Sequence, residues 1–173
     1  MNHRTLISAL ALTAAAIALP ALAAGSHAGG HGDDASAIGE PGDAARVTRT
    51  VHIDMNDAMR FRPARIDARR GQTIRFVVAN TGKLKHELVL GTAADLKAHA
   101  EVMKKNPEME HADPNMVSVA PGAIGEVIWH FTKPGTVDFG CLQPGHFDAG
   151  MKGVVQVGGK PAGKPAGATG HAH

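Results

Sequence analysis

The chain is predicted to fold as an all-β domain, a Greek-key β-sandwich carrying one short helical insertion. Three observations lead there. Short runs rich in Val, Ile, Phe and Thr recur between residues 46 and 158, each bounded by Gly, Pro or Asn. The first of these runs, Val47–Ile53, alternates with period two, as a strand covered on one face does. One stretch, 92–116, breaks the rhythm with apolar residues at helical spacing.

With 173 residues, 43% hydrophobic and 20% charged, the chain can build one ordinary domain. Its formal charge is only +2, and no basic stripe is interleaved with aromatics, so nucleic acid is excluded as a partner. Tyrosine is absent, so the core must rest on aliphatic side chains and a few Phe.

The N-terminus stands apart from that core. Met1–Arg4 is a basic n-region, Leu6–Leu19 an apolar h-region broken by Pro20, and Ala21-Leu22-Ala23 an A-x-A cleavage site. The apolar run is too short to span a bilayer comfortably, and no second one follows. Residues 1–23 are therefore expected to be a cleaved signal peptide, with the mature chain exported to the periplasm and not held in a membrane. Residues 24–45, rich in Gly, Ala, Ser and Asp and containing His27 and His31, show no periodicity and are expected to form a flexible arm.

The strands follow in order. Val47–Ile53 alternates Val47, Arg49, Val51 and Ile53 against polar neighbours. Met59–Pro63 and Ala64–Ala68 come next, then the turn Arg69–Gln72 and the β-dense run Thr73–Ala79, which Asn80-Thr81-Gly82 ends. Leu88–Leu90 is a further strand with His86 at its mouth. Beyond the insertion lie Val117–Val119, the turn Pro121-Gly122, and Gly125–Phe131 around Trp129. Lys133-Pro134-Gly135 turns the chain into Thr136–Gly140, and Gly153–Val157 closes the domain at about residue 158. His52, Trp129 and His130 fall within strand runs and are read as structural. Residues 159–173, with the G-K-P-A run continuing from Gly159 and repeated, form a Pro/Gly/His tail that cannot bury a core.

Within the insertion, Ala93–Lys105 carries Leu96, Ala100 and Met103 at helical spacing, and Asn106-Pro107 ends the helix.

The chemistry concentrates in Phe139–Met151, F-G-C-L-Q-P-G-H-F-D-A-G-M. It holds the chain's one cysteine, Cys141, with His146 five residues on and Met151 five beyond that. In an oxidising compartment a lone Cys has no disulfide partner within the chain, so it is either buried or bound to metal. Thiolate, imidazole and thioether are copper donors, and a His₂Cys set with a weak axial Met describes a blue-copper centre. Such a centre needs a second histidine, and His86 in K-L-K-H-E-L-V is the best placed. Zinc also takes His₂Cys sets but closes tetrahedrally and has no reason to recruit a thioether. A Cys141 nucleophile paired with His146 would leave Met151 and His86 unexplained. The chain is read as a metal-binding protein and not an enzyme.

Two further clusters stay open between metal binding and simpler roles. His99, Met103, Met109, His111 and Met116 gather soft donors that could hold additional Cu(I), but Met103 and Met116 serve equally as packing. Cleavage after Ala24 would leave Gly25-Ser26-His27, a square-planar Cu(II) nest with His27 as its imidazole; the competing reading is a solvated tail.

Met59-x-Phe61-x-Pro63, the run Gly71–Asn80, His86, Pro144-Gly145-His146 and Gly150-Met151-x-Gly153 together resemble the cupredoxin family over about residues 46–158. The insertion, with Pro107-Glu108-Met109-Glu110-His111 and Asp113-Pro114-Asn115, is similar to that of the periplasmic copper-tolerance cupredoxins of the CopI type. The resemblance implies a type 1 copper site ligated by His86, Cys141, His146 and Met151. Many relatives carry Asn after the first histidine ligand, where this chain has Glu87, which puts the bonds bracing the ligand loop in question.

Two functions follow. In the first the chain binds, buffers or oxidises excess copper in copper tolerance, aided by a periplasmic redox or export partner. In the second it is a soluble one-electron carrier, and no docking patch for that role stands out. The chain is expected to be a monomer.

Overall fold

A computed structural model of the protein describes residues 37–161 except His111. The expected signal peptide, His27 with its nest, His111 and most of the C-terminal tail lie outside the described residues.

Among the described residues ten strands form two five-stranded sheets. The strands are β1 (Glu40–Pro41), β2 (Arg49–Asn56), β3 (Arg60–Arg62), β4 (Arg65–Arg70), β5 (Gln72–Asn80), β6 (His86–Gly91), β7 (Met116–Val119), β8 (Ile124–Phe131), β9 (Gly135–Gly140) and β10 (Lys152–Pro161). One sheet has the order β1-β8-β5-β2-β3 and the other β4-β10-β9-β6-β7. The pairs β2/β5 and β4/β10 are parallel, and the remaining pairs are antiparallel. This is the expected all-β sandwich. The chain changes sheets between β4 and β5 at Gly71, whose φ of 79° permits so tight a turn.

Alternation along the strands places the core. Val51, Ile53 and Met55 of β2, Ile74, Phe76 and Val78 of β5, Val127, Trp129 and Phe131 of β8, and Val137 and Phe139 of β9 all point between the sheets. The Phe61 and Phe139 rings meet edge to face across that interior, 5.1 Å apart.

The helix α1 (Ala93–Lys105) has the bounds the periodicity predicts and buries Leu96, Ala100 and Met103. Thr92 caps it, its hydroxyl accepting from the Asp95 amide at 3.2 Å. This helix covers Val89 on the outer face of β6, and every β6 residue is buried. Leu88 and Leu90 enter the main core, while Val89 packs with Leu96, Ala100, Met103, Leu142 and Phe147 in a second cluster. Gly91 gives the helix room: a Cβ there would lie 2.9 Å from Leu96 Cδ2.

Three expectations need correction. The strand expected at Val47–Ile53 begins at Arg49, which is exposed, and runs on to Asn56, because its pairing with β5 runs from Arg49 opposite Ile74 to Met55 opposite Asn80. The arm expected through residue 45 is ordered from Ile38 onward. Ile38 is 5% exposed, its carbonyl accepts from Trp129 Nε1 at 2.9 Å, and β1 pairs with β8. The last strand continues to Pro161, beyond the expected close at 158.

Candidate metal centre

His86 opens β6 at the end of a loop that Asn80 shapes from the last position of β5. The Asn80 amide donates to the carbonyls of Leu84 at 2.8 Å and Val119 at 2.9 Å, and its Oδ1 accepts from the Gly82 amide at 3.0 Å. Asn80 is almost fully buried, so these bonds hold the loop without competition from water.

Cys141 directly follows β9. Strands β6 and β9 are antiparallel, with Val89 opposite Gly140 and Leu90 opposite Phe139, so the start of β6 lies beside the end of β9. His86 and Cys141 therefore meet at one edge of the sandwich interior. Cys141 Sγ lies 3.9 Å from His86 Nδ1 and accepts from the Glu87 amide at 3.5 Å.

The loop after Cys141 folds back on itself. The His146 amide donates to the Gln143 carbonyl at 2.9 Å, the Met151 amide to the His146 carbonyl at 3.1 Å, and the Cys141 amide to the Met151 carbonyl at 3.1 Å. Gly145 and Gly150, at φ of 82° and 95°, make the reversals that residues with a Cβ resist. The result brings His146 Nδ1 to 3.3 Å from Cys141 Sγ and 3.2 Å from His86 Nδ1. The three donor atoms lie within 4.8 Å of one another, the one such grouping of His, Cys, Asp or Glu side chains among the described residues. Met151 is fully buried in the same core cluster as Cys141, tied by its backbone to both Cys141 and His146.

Burial governs the electrostatics of the cluster. Burial, opposed by the backbone N–H groups of Glu87 and Gln143, pushes the Cys141 thiol up to about 12. Burial, and then the neighbouring His86, lower the pKa of His146. Two imidazoles and a thiol that gives up its proton to a metal form a soft and borderline donor set, which fits copper and not the hard, oxygen-seeking cations.

Two carboxylates complete the surroundings. Glu87, 4% exposed, accepts from the Leu142 amide at 3.0 Å, Ser118 Oγ at 3.2 Å and Gln143 Nε2 at 3.4 Å, so a glutamate does brace the ligand loop. The alternation that sends His86 and Leu88 inward sends Glu87 outward beneath that loop. Asp57, in the turn between β2 and β3, accepts from His86 Nε2 at 3.1 Å and from the amides of Lys83 and Leu84. The Lys83 amide is the largest influence holding Asp57 below the usual carboxylate range. Sequence reading passed over Asp57, since it stands 29 residues from His86 with no motif linking them.

The residues of the second candidate cluster differ in burial. Met103 is 2% exposed in the packing beneath α1, and Met116 packs against the same cluster. His99 is half-buried on α1, while Met109 is 41% exposed.

Comparison with known proteins accords with this geometry. The family model for copper binding proteins of the plastocyanin/azurin family matches residues 47–158. The copper-resistant cuproprotein CopI of Rubrivivax gelatinosus is 53% identical over 164 residues, covering 91% of this chain and 99% of the relative. CopI of Pseudomonas aeruginosa is 36% identical over 153 residues, covering 70% and 82% respectively. Among solved structures, dithionite-reduced auracyanin from Roseiflexus castenholzii superposes with a TM-score of 0.56 at 24% identity, over 65% of this chain and 98% of that one, a likeness of fold alone. With more than half its length matched by the family model and so near a relative over almost its whole length, the chain belongs to the plastocyanin/azurin family of copper-binding proteins.

Proposed function

We propose that His86, Cys141, His146 and Met151 hold one copper ion and that the protein acts in copper tolerance in the periplasm, binding or redox-handling excess copper. The convergence of two imidazole Nδ1 atoms and one thiol at the edge of the sandwich interior carries the reading. Copper held there supplies a one-electron couple between Cu(I) and Cu(II).

The chain's own residues do the rest. His86 opens β6 and Cys141 directly follows β9, so the β6/β9 ladder holds the two close together. The core around Cys141 excludes water from the sulfur. His146 is only half-buried, which leaves one edge of the site open to a partner or an entering ion. The relatives' names as copper-resistant cuproproteins support the tolerance role.

A deletion strain tests that role. It is expected to become copper-sensitive and to recover with the wild-type gene but not with Cys141→Ser. Normal growth on copper combined with impaired respiration would instead favour a soluble electron carrier.

A further inference from the structure

We infer that Asp57 is a positioning residue for copper, fixing the tautomer of His86 and biasing the bound ion toward Cu(II); this rests on the copper reading above. The geometry joins the two sheets. Asp57 leaves the end of β2 in one sheet, His86 opens β6 in the other, and the carboxylate meets the imidazole at 3.1 Å on the nitrogen facing away from Cys141.

An ionised carboxylate only accepts hydrogen bonds, so Nε2 of His86 must carry the proton. In a neutral imidazole Nδ1 is then left with its lone pair, and Nδ1 is the atom lying 3.9 Å from Cys141 Sγ. The ligand is thus oriented before any ion arrives. His86 itself is wholly buried, whereas Asp57 is 37% exposed, so the proton cannot drift to solvent on the histidine side.

The loop 81–85 is built around this carboxylate. Lys83 N donates to Oδ2 at 2.8 Å and Leu84 N to Oδ1 at 3.2 Å. Gly82 is needed to admit it, because a Cβ there would lie 2.1 Å from Asp57 Oδ1. A negative charge bonded to a ligand attracts a doubly charged ion more than a singly charged one, since Coulomb energy scales with the charge. Carboxylate–histidine–metal arrangements raise ligand basicity in the same way.

A merely structural turn cap would hold the loop but leave both the tautomer and the redox balance unmoved. The experiment therefore reads both. In ¹⁵N-labelled metal-free wild-type protein, two-bond proton–nitrogen correlations are expected to show His86 as a single Nε2–H tautomer. Copper-loaded wild type and Asp57→Asn, poised in the same redox buffer and read by the thiolate band, are expected to differ. The Cu(II)/Cu(I) ratio of the variant should fall about tenfold, which is about 59 mV for a one-electron couple. A wild-type His86 protonated on Nδ1, or a variant whose ratio equals that of wild type while both show the band, overturns the inference and leaves the copper reading standing. A wild type that takes up copper without the band overturns the copper reading and this inference with it.

Discussion

The carboxylate of Glu87 accepts a hydrogen bond at 3.0 Å from the backbone amide of Leu142, the residue directly after Cys141. The same glutamate's own amide donates to the Cys141 sulfur at 3.5 Å. One residue therefore ties the first histidine strand to the sulfur and to the start of the ligand loop, from a position almost sealed from water. Replacing it by Leu leaves the buried Leu142 N–H without an acceptor, an expected loss of about 1–3 kcal/mol. Urea unfolding should show that loss, and hydrogen exchange at the Leu142 amide should quicken. Glu87→Gln keeps one acceptor oxygen and should lie between the two.

Alkaline stability of the metal-free protein should carry the signature of Cys141. Its thiol ionises near 9.0 when exposed and is pushed up to about 12 in the fold. Below 9 both states hold the proton and the fold keeps its full stability. Between 9 and 12 the unfolded chain gives up a proton that the folded one retains, so stability falls as pH rises. The difference amounts to about 4 kcal/mol at most. Unfolding curves across that window should show a steeper decline for wild type than for Cys141→Ala.

How much of this was legible in the sequence depends on range. The helix over Ala93–Lys105 was readable because Leu96, Ala100 and Met103 recur locally and Asn106-Pro107 marks its end. The meeting of Cys141 and His146 was readable because one short loop carries both. Ile38 was not, since its place depends on Trp129, 91 residues away. Glu87 showed in sequence only as a departure from a pattern. Its role depends on β6 being covered on both faces, which no period-two pattern reports.

Packing should dominate the methionines of the insertion. Met103→Ala removes a side chain only 2% exposed and is expected to cost about 2–5 kcal/mol. Met109, 41% exposed, should tolerate the same change within about 0.5 kcal/mol. Chemical denaturation of both variants checks the contrast.

The ordered start of the domain makes Gly39 sensitive. Its φ is 116°, and a Cβ there would stand 2.3 Å from the His130 carbonyl oxygen and 2.9 Å from Trp129 Nε1. Gly39→Ala is expected to cost about 2 kcal/mol or more and to break the Trp129–Ile38 bond. Thermal unfolding followed by Trp fluorescence measures it, Trp129 being the only tryptophan in the chain.

The most direct measurement is the visible spectrum of the protein given one equivalent of Cu(II), recorded beside Cys141→Ser. An intense thiolate-to-copper band in wild type that vanishes in the variant is the expected result. A band that survives in Cys141→Ser, or wild-type protein that binds copper without one, would contradict the assignment of Cys141 as the sulfur ligand and with it the proposed site.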